Sequence, residues 1–162
     1  MMEAKDKILS RLQALCSRSE CCPLDIQKRL DKAVEAGEIT REQAVQLMES
    51  LLQDKYVDPE RYAHAFVADK SRLQGWGVVK IKNALRMKQV PPQVISRALE
   101  ARDTDAERVV LEKLILRKDR ELKDTDPAVR AAKMIRFVMA RGYEYANIRA
   151  VLEQLGKNSG NG

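Results

Sequence analysis

Basic side chains dominate one stretch of this sequence, SRLQGWGVVKIKNALRMKQV, which contains no acidic residue and covers Ser71 to Val90. Its cations are Arg72, Lys80, Lys82, Arg86 and Lys88. Guanidinium and ammonium groups bind phosphates and carboxylates through charge-assisted hydrogen bonds. These residues therefore predict recognition of a phosphate, a nucleic acid strand or an acidic protein surface.

The wider charge distribution points the same way. Residues 1–69 hold 10 Lys/Arg against 13 Asp/Glu, although the whole chain of 162 residues has a net charge of +6. In residues 70–102 the only acid is Glu100, whereas the basic residues are Lys70, Arg72, Lys80, Lys82, Arg86, Lys88, Arg97 and Arg102. A basic block behind an acidic first third predicts a polyanionic or acidic partner.

Groups that could catalyse a reaction or bind a metal do not form a constellation. His64 is the only histidine, and a single histidine in a helix is usually a packing or surface residue. The cysteines Cys16, Cys21 and Cys22 have neither the C-x-x-C spacing of a zinc site nor the pattern of a disulfide framework. We therefore predict no catalytic residue, no metal, no cofactor and a reducing compartment.

The Gly75-Trp76-Gly77 segment has two interpretations. It lacks the third glycine of a dinucleotide fingerprint and the Lys-Ser/Thr of a P-loop, so a nucleotide site is the weaker one. The stronger interpretation is a tight turn, in which the glycines adopt unusual backbone angles and Trp76 fills the junction between two helices.

Helix signals position all these groups, and strand signals are nearly absent. Only 4% of residues are aromatic, whereas 33% are charged, a composition that favours packed helices over a β-sandwich. N-caps at Asp58 and Asp126 precede prolines, and Thr40 with Gln43 and Thr104 with Glu107 fit capping boxes. The predicted helices cover about 3–17, 24–36, 41–53, 59–73, 78–88, 92–100, 105–121, 127–141 and 145–155.

Three copies of one three-helix unit explain the order of these helices. Apolar positions coincide without a gap when residues 80–99 are aligned with residues 133–152, and residues 25–51 fit with a longer turn. We predict an all-α, elongated and curved array of three tandem repeats, 1–56, 57–102 and 103–155, with a disordered tail at 156–162. The alternative is a compact globule of nine helices.

Two of the copies have basic outer faces. Ile81, Ala84 and Leu85 form the buried stripe of the middle copy, with Lys82 and Arg86 on the opposite face. In the third copy the outward cations are Arg130, Lys133 and Arg136. A solvated charged surface is the plain alternative, but repeated cations with few acids favour a binding face.

The segment FVADKSRLQGWGVVKIKNALRMKQV resembles the signature of the RecX family, bacterial regulators of the RecA recombinase. The family pattern has a Phe-Val pair, an Arg, a Gly-x-Gly turn, an Ile and a Leu four apart, and a Lys-Gly-Ile/Val ending. Its residues here are Phe66, Val67, Arg72, Gly75, Gly77, Ile81, Leu85, Lys88 and Val90, with Trp76 between the glycines. Gln89 departs from the family's glycine, which puts the left-handed turn after this helix in question.

The resemblance implies a non-enzymatic modulator that binds in the groove of the RecA–ssDNA filament and usually suppresses ATP hydrolysis and strand exchange. The expected contact residues are Lys70, Arg72, Lys80, Lys82, Arg86, Lys88, Arg97, Arg130, Lys133 and Arg136. Two alternatives stay open: direct binding of single- or double-stranded DNA phosphates without a protein target, and an adaptor for another acidic protein. No apolar run approaches the roughly 20 residues of a membrane span, so we expect a cytoplasmic monomer.

Overall fold

A computed structural model describes residues 2–160 of the chain. Within them the backbone forms nine helices and no strand, as the sequence predicts. They are α1 Ala4–Arg18, α2 Pro23–Glu35, α3 Arg41–Gln53, α4 Pro59–Arg72, α5 Val78–Met87, α6 Pro92–Glu100, α7 Thr104–Glu121, α8 Pro127–Ala140 and α9 Tyr145–Gly160. None of these helices combines the length and the hydropathy that crossing a bilayer would require.

Local capping explains why α1 to α8 begin and end within about one residue of the predicted bounds. Thr40 and Gln43 form the predicted capping box, in which the backbone amide of Gln43 donates to the Thr40 hydroxyl oxygen at 3.1 Å. The predicted box at Thr104 is wrong. Asp103 caps α7 instead, accepting the Ala106 amide at 3.0 Å. Glu107 is not available for a box because its carboxylate pairs with Arg102 at 2.8 Å.

The last helix is longer than predicted. Helix α9 continues to Gly160, so the disordered tail predicted from Gly156 is wrong for residues 156–160. Once a helix is formed, each added residue gains one hydrogen bond, and a single glycine costs only about 1 kcal/mol. Residues 161 and 162 lie outside the described part of the chain.

Each three-helix unit has its own hydrophobic core. One cluster lies within residues 8–57, a second within residues 62–99, and a third within residues 111–151. Cys22 is the exception, because it belongs to the first unit in sequence but packs into the core of the second. The chain is therefore an array of three adjoining cores.

The total surface agrees with an array. A compact folded monomer of 18.4 kDa exposes about 8,200 Å². This chain exposes 10530 Å², a clear excess over that expectation. Units that contact mainly their neighbours leave more surface in solvent than a single globule does.

Equivalent left-handed turns end the second helix of every unit. Gly37, Gln89 and Gly142 have φ angles of 74°, 59° and 96°. The next residue in each turn donates its amide to a carbonyl five residues back, as Val90 does to Leu85 at 3.1 Å, which is a Schellman motif. The middle unit thus keeps the left-handed cap although glutamine replaces the family's glycine.

The second and third units meet through their backbones. The Gly77 amide donates to the Arg141 carbonyl at 2.8 Å, and the Val79 amide donates to the Gly142 carbonyl at 2.9 Å. A Cβ on Gly77 would lie 2.4 Å from the Gly142 carbonyl carbon, and one on Gly142 would lie 2.4 Å from the Lys80 Cβ. Gly77 is therefore needed for its small size, whereas Gly75 has the positive φ of 66° that the sequence predicts for this turn.

We expect Gly77→Ala to lower the free energy of unfolding by about 1–3 kcal/mol, because its methyl group must displace backbone of the third unit. Urea unfolding of the purified variant measures the change.

Gly156→Ala is the matched control, since no heavy atom lies within 4 Å of its added Cβ and it occupies a helix. That variant should be neutral or more stable by up to about 1 kcal/mol. Equal stability of Gly77→Ala and the parent chain would contradict the close approach of the two units.

Candidate binding surfaces on the second and third units

The segment that carries the family signature forms the joint between α4 and α5. The Trp76 amide donates to the Lys70 carbonyl at 2.9 Å, which closes the turn after α4. Its half-buried ring packs on the core of the second unit and meets the Phe66 ring edge-on, with centroids 6.3 Å apart. Trp76 therefore fixes the angle between the two helices.

Two of the predicted contact residues, Lys70 and Lys80, lie against this tryptophan. Their ammonium nitrogens are 4.8 Å and 4.4 Å from the centroid of the Trp76 ring. Each such cation–π contact is worth roughly 0.5–1 kcal/mol at an exposed site. Both ammonium groups are consequently held in place beside the α4–α5 turn.

Lys82 and Arg86 lie on the outer face of α5, and both are exposed. Val79 is exposed on the same face, and the carboxylates of Glu100 and Glu144 line the depression beside it. We call this group the α5 surface. Mixed charges around an exposed aliphatic side chain are typical of the polar rim of a protein–protein interface.

Lys88 and Arg97 face other parts of the molecule. Lys88 is half-buried at the end of α5 and lines an apolar groove with Leu24 of the first unit. Arg97 of α6 binds the Glu60 carboxylate of α4 through its Nε and Nη2 atoms. Hydrogen bonding from Arg97 lowers the pKa of Glu60.

Arg130 and Lys133 hold the connection between α7 and α8. The Arg130 guanidinium donates to the carbonyl oxygens of Leu122, Asp124 and Asp119, at 3.0, 2.6 and 2.7 Å. The Lys133 ammonium lies 2.7 Å from the Asp124 carboxylate, and this hydrogen bond lowers the pKa of Asp124. Arg136 is exposed, and among residues 2–160 it has no salt-bridge partner.

Arg72 lies in a cleft between the second and third units that the sequence analysis missed. The cleft has a volume of about 530 Å³, and its charged lining is Arg72, Lys113, Arg117, Arg120 and Arg141, with no acidic residue. We call this group the basic cleft. It collects five cations from α4, from α7 and from the end of α8.

Three different helices position these cations. Lys113, Arg117 and Arg120 follow the i, i+4, i+7 spacing that places side chains on one face of α7. Arg72 is the last residue of α4. Arg141 is the C-cap residue that follows α8, and its guanidinium carbon lies 5.1 Å from the centroid of the Phe137 ring, which orients it.

Among residues 2–160 no salt bridge compensates the charge of the basic cleft. In the described part of the molecule no carboxylate comes within salt-bridge distance of Arg72, Lys113, Arg117 or Arg120. Asp119, one of the two acids that flank Arg120 in sequence, pairs with Arg130 instead, with 2.7 Å between the Asp119 Oδ1 and Arg130 Nη2 atoms. Such a surface attracts a polyanion.

A signal for this cleft exists in the sequence. Counted along the chain, the cations of α7 alternate with Glu112, Asp119 and Glu121 and look balanced. On a helical projection Glu112 and Asp119 lie roughly 100–120° from Lys113 and so off the basic face, whereas Glu121 lies about 40° from Arg117 at the end of the helix. A helical projection of α7 would therefore have identified three of the five residues.

The remaining reactive side chains do not form a site. The His64 Nδ1 atom is 2.7 Å from the Glu60 carbonyl oxygen of its own helix. Burial and the neighbouring Cys21 thiol raise the pKa of Cys16 to about 12, which disfavours its thiolate. Over residues 2–160 no group of three or more His, Cys, Asp or Glu side chains is arranged to hold a metal ion.

Comparison with known proteins gives one consistent family. Residues 58–99 match the family description "RecX, second three-helix domain". A regulatory protein RecX of Trichlorobacter lovleyi is 26% identical over 94% of this chain and 97% of its own length. A regulatory protein RecX of Clostridium perfringens is 31% identical, and the match covers 79% of this chain and 60% of that protein.

Solved structures share the fold. A crystal structure of RecX from Lactobacillus salivarius has a TM-score of 0.82 at 13% identity, covering 94% of this chain and 97% of that one. A second structure, of a regulatory protein RecX, has a TM-score of 0.78 at 19% identity, covering 93% of this chain and 72% of that one. These matches extend over all three units.

We expect Arg130→Ala to lower the free energy of unfolding by about 1.5–3 kcal/mol, because the variant loses charge-assisted hydrogen bonds that close the α7–α8 connection. Arg136→Ala, on the exposed side of the same helix, should change it by less than about 0.5 kcal/mol. Urea unfolding of both variants measures the difference. The same small loss in both would show that Arg130 is not structural.

The pair of Arg97 and Glu60 predicts a dependence on pH. The folded protein lowers the pKa of Glu60, so the pair stabilises the fold above the ordinary pKa of 4.5 and is lost as pH falls through the lower folded value. Arg97→Ala should return the pKa of Glu60 towards that ordinary value in a carboxyl-carbon NMR titration. The pKa of Asp31, which Arg41 lowers, should not move and is the internal control.

Proposed function

We propose that this chain, which belongs to the RecX family, is a regulator of the RecA recombinase that binds along the groove of the RecA–ssDNA filament. It acts as an inhibitor, suppressing ATP hydrolysis and strand exchange. The observation that carries the proposal is the similarity to regulatory proteins named RecX over 94% of this chain. The resemblance of residues 66–90 to the family signature connects that name to RecA.

The architecture supports binding along a filament. Three units in a row present more surface than a globule of the same mass, 10530 Å² in all. A groove between filament subunits needs such a long partner, since binding energy is gathered from several separated contacts. The α5 surface provides one of them, in which Lys82 and Arg86 meet acidic protein while Glu100 and Glu144 restrict the orientation.

The proposed mode of action is occupancy rather than chemistry. A protein that fits the groove opposes the movements between RecA subunits that ATP hydrolysis and strand exchange require. No catalytic residue, cofactor or metal of this chain takes part. The protein acts as a monomer in the cytoplasm, where the RecA–DNA filament forms.

One observation favours a second function. The uncompensated cations of the basic cleft suit direct binding to nucleic acid without any protein target. In that case the protein would bind bare DNA as well as it binds RecA–DNA filaments. The adaptor alternative, in which the α5 surface binds an unrelated acidic protein, predicts no effect on RecA at all.

We expect the parent protein to lower the ATPase rate of RecA on single-stranded DNA, and the variant Lys82→Glu/Arg86→Glu to inhibit less. Both side chains are exposed, so the fold should be retained. Each exposed ion pair is worth roughly 0.2–1 kcal/mol, so the two reversals together should weaken inhibition by about 2- to 30-fold. A steady-state ATPase titration at low and high salt measures the loss, which should be larger at low salt.

Glu35→Lys/Glu42→Lys is the matched control, with two reversals on exposed residues of the first unit. It should inhibit nearly as well as the parent. Undiminished inhibition by the Lys82/Arg86 variant at low salt would remove the α5 surface from the proposal. A parent protein without effect on RecA at any ratio would overturn the proposed function itself.

A further inference from the structure

We infer that the basic cleft binds the phosphate backbone of a single nucleic acid strand, whereas the α5 surface binds protein. This inference deepens the proposed function. It rests on that function for one point, that the strand belongs to a RecA–DNA filament. It assigns Arg72 to a different partner from Lys82 and Arg86, with which the sequence grouped it, and adds four cations that the sequence pattern did not single out.

Composition separates the two surfaces. The α5 surface mixes Lys82 and Arg86 with the carboxylates of Glu100 and Glu144, and such carboxylates repel a phosphate strand. The basic cleft has no carboxylate in its lining. A surface that carries only positive charge suits a partner that carries only negative charge. A nucleic acid backbone has such uniform charge, whereas the surface of a folded protein rarely does.

The apolar residues of the cleft exclude a helical peptide as the preferred occupant. A docked amphipathic helix needs several apolar contacts at helical spacing. Leu114 is on the floor of the cleft but only 8% exposed, so it offers little area. Val110 is half-buried, so among the aliphatic residues of this lining only Leu73, at 78% exposed, is open to solvent.

The spacing of the cations fits a strand. From Lys113 to Arg120 the face of α7 covers about 10.5 Å at 1.5 Å per residue. Phosphates of one stacked strand follow each other at about 3.4 Å along its axis, so the row reaches roughly three nucleotides. Arg72 of α4 and Arg141 of α8 contribute two more guanidinium groups from the other helices of the cleft.

The nature of the cations sets the expected selectivity. Four of the five are arginines, whose planar guanidinium groups bind phosphate oxygens in pairs. No aromatic side chain lines the cleft, so bases have no ring on which to stack. We therefore expect contact with phosphates only and no preference for base sequence.

The test measures fluorescence anisotropy of a labelled oligothymidylate with the full chain and without RecA. Arg117→Glu/Arg120→Glu should weaken binding roughly tenfold at about 50 mM salt. Arg117→Gln/Arg120→Gln removes the same two cations without adding repulsion. The logarithm of the association constant falls linearly with the logarithm of the salt concentration, by about 0.7 for each phosphate contact to a single strand. Losing two contacts should therefore make this slope less steep by about 1.4.

Lys7→Glu/Lys28→Glu is the matched control, because both lysines are exposed cations of the first unit and the net charge changes equally. It should keep most of the affinity, and circular dichroism should show the same helix content in every variant. An equal loss in the control would mean that net charge, not the cleft, attracts the strand, and would overturn the inference.

Poly-L-glutamate distinguishes the alternative partner. If it displaces the oligonucleotide at equal charge concentration and loses affinity in the same variants, the cleft binds acidic protein and the inference is wrong. Failure of oligonucleotide binding in the parent would also overturn it. Neither result affects the ATPase test of the proposed function, which can succeed with a chain that touches only RecA.

Discussion

The close approach of two glycines, Gly77 and Gly142, is the contact on which the arrangement of the second and third units depends. Each would place a Cβ 2.4 Å from backbone or Cβ atoms of the other unit. Their approach brings the Arg141 guanidinium beside Gly75, at 3.9 Å from where a Cβ there would lie. The joint that connects the two units therefore also builds one wall of the basic cleft.

The cations of this chain divide according to what surrounds them. Arg97, Arg130 and Lys133 lie close to carboxylates or carbonyl oxygens of neighbouring helices, and pairing holds them in the fold. Lys70 and Lys80 instead lie over the Trp76 ring. Among the described residues Arg72, Lys113, Arg117 and Arg120 have neither kind of contact, so no intramolecular partner has to be displaced before they bind an anion.

The sequence was sufficient to predict where the helices begin and end, but not to predict which side chains share a surface. Capping residues such as Asp58 and Thr40 act on their own helix, so the bounds followed from local chemistry. The basic cleft depends on contacts between units, which no local pattern contains. Gln89 shows the same limit: its turn is left-handed despite the missing glycine, because the Val90 and Gln89 amides are satisfied by the end of α5.

The two joints of the array are built from different kinds of contact. Backbone hydrogen bonds at Gly77 and Val79 link the second and third units. Among the described residues, side chains make the other joint, through the Arg61–Glu20 pair and the burial of Cys22. The proposed contacts on the α5 surface and in the basic cleft both lie on the two units that these backbone hydrogen bonds connect, so engaging the second contact after the first would cost less entropy than binding a separate molecule.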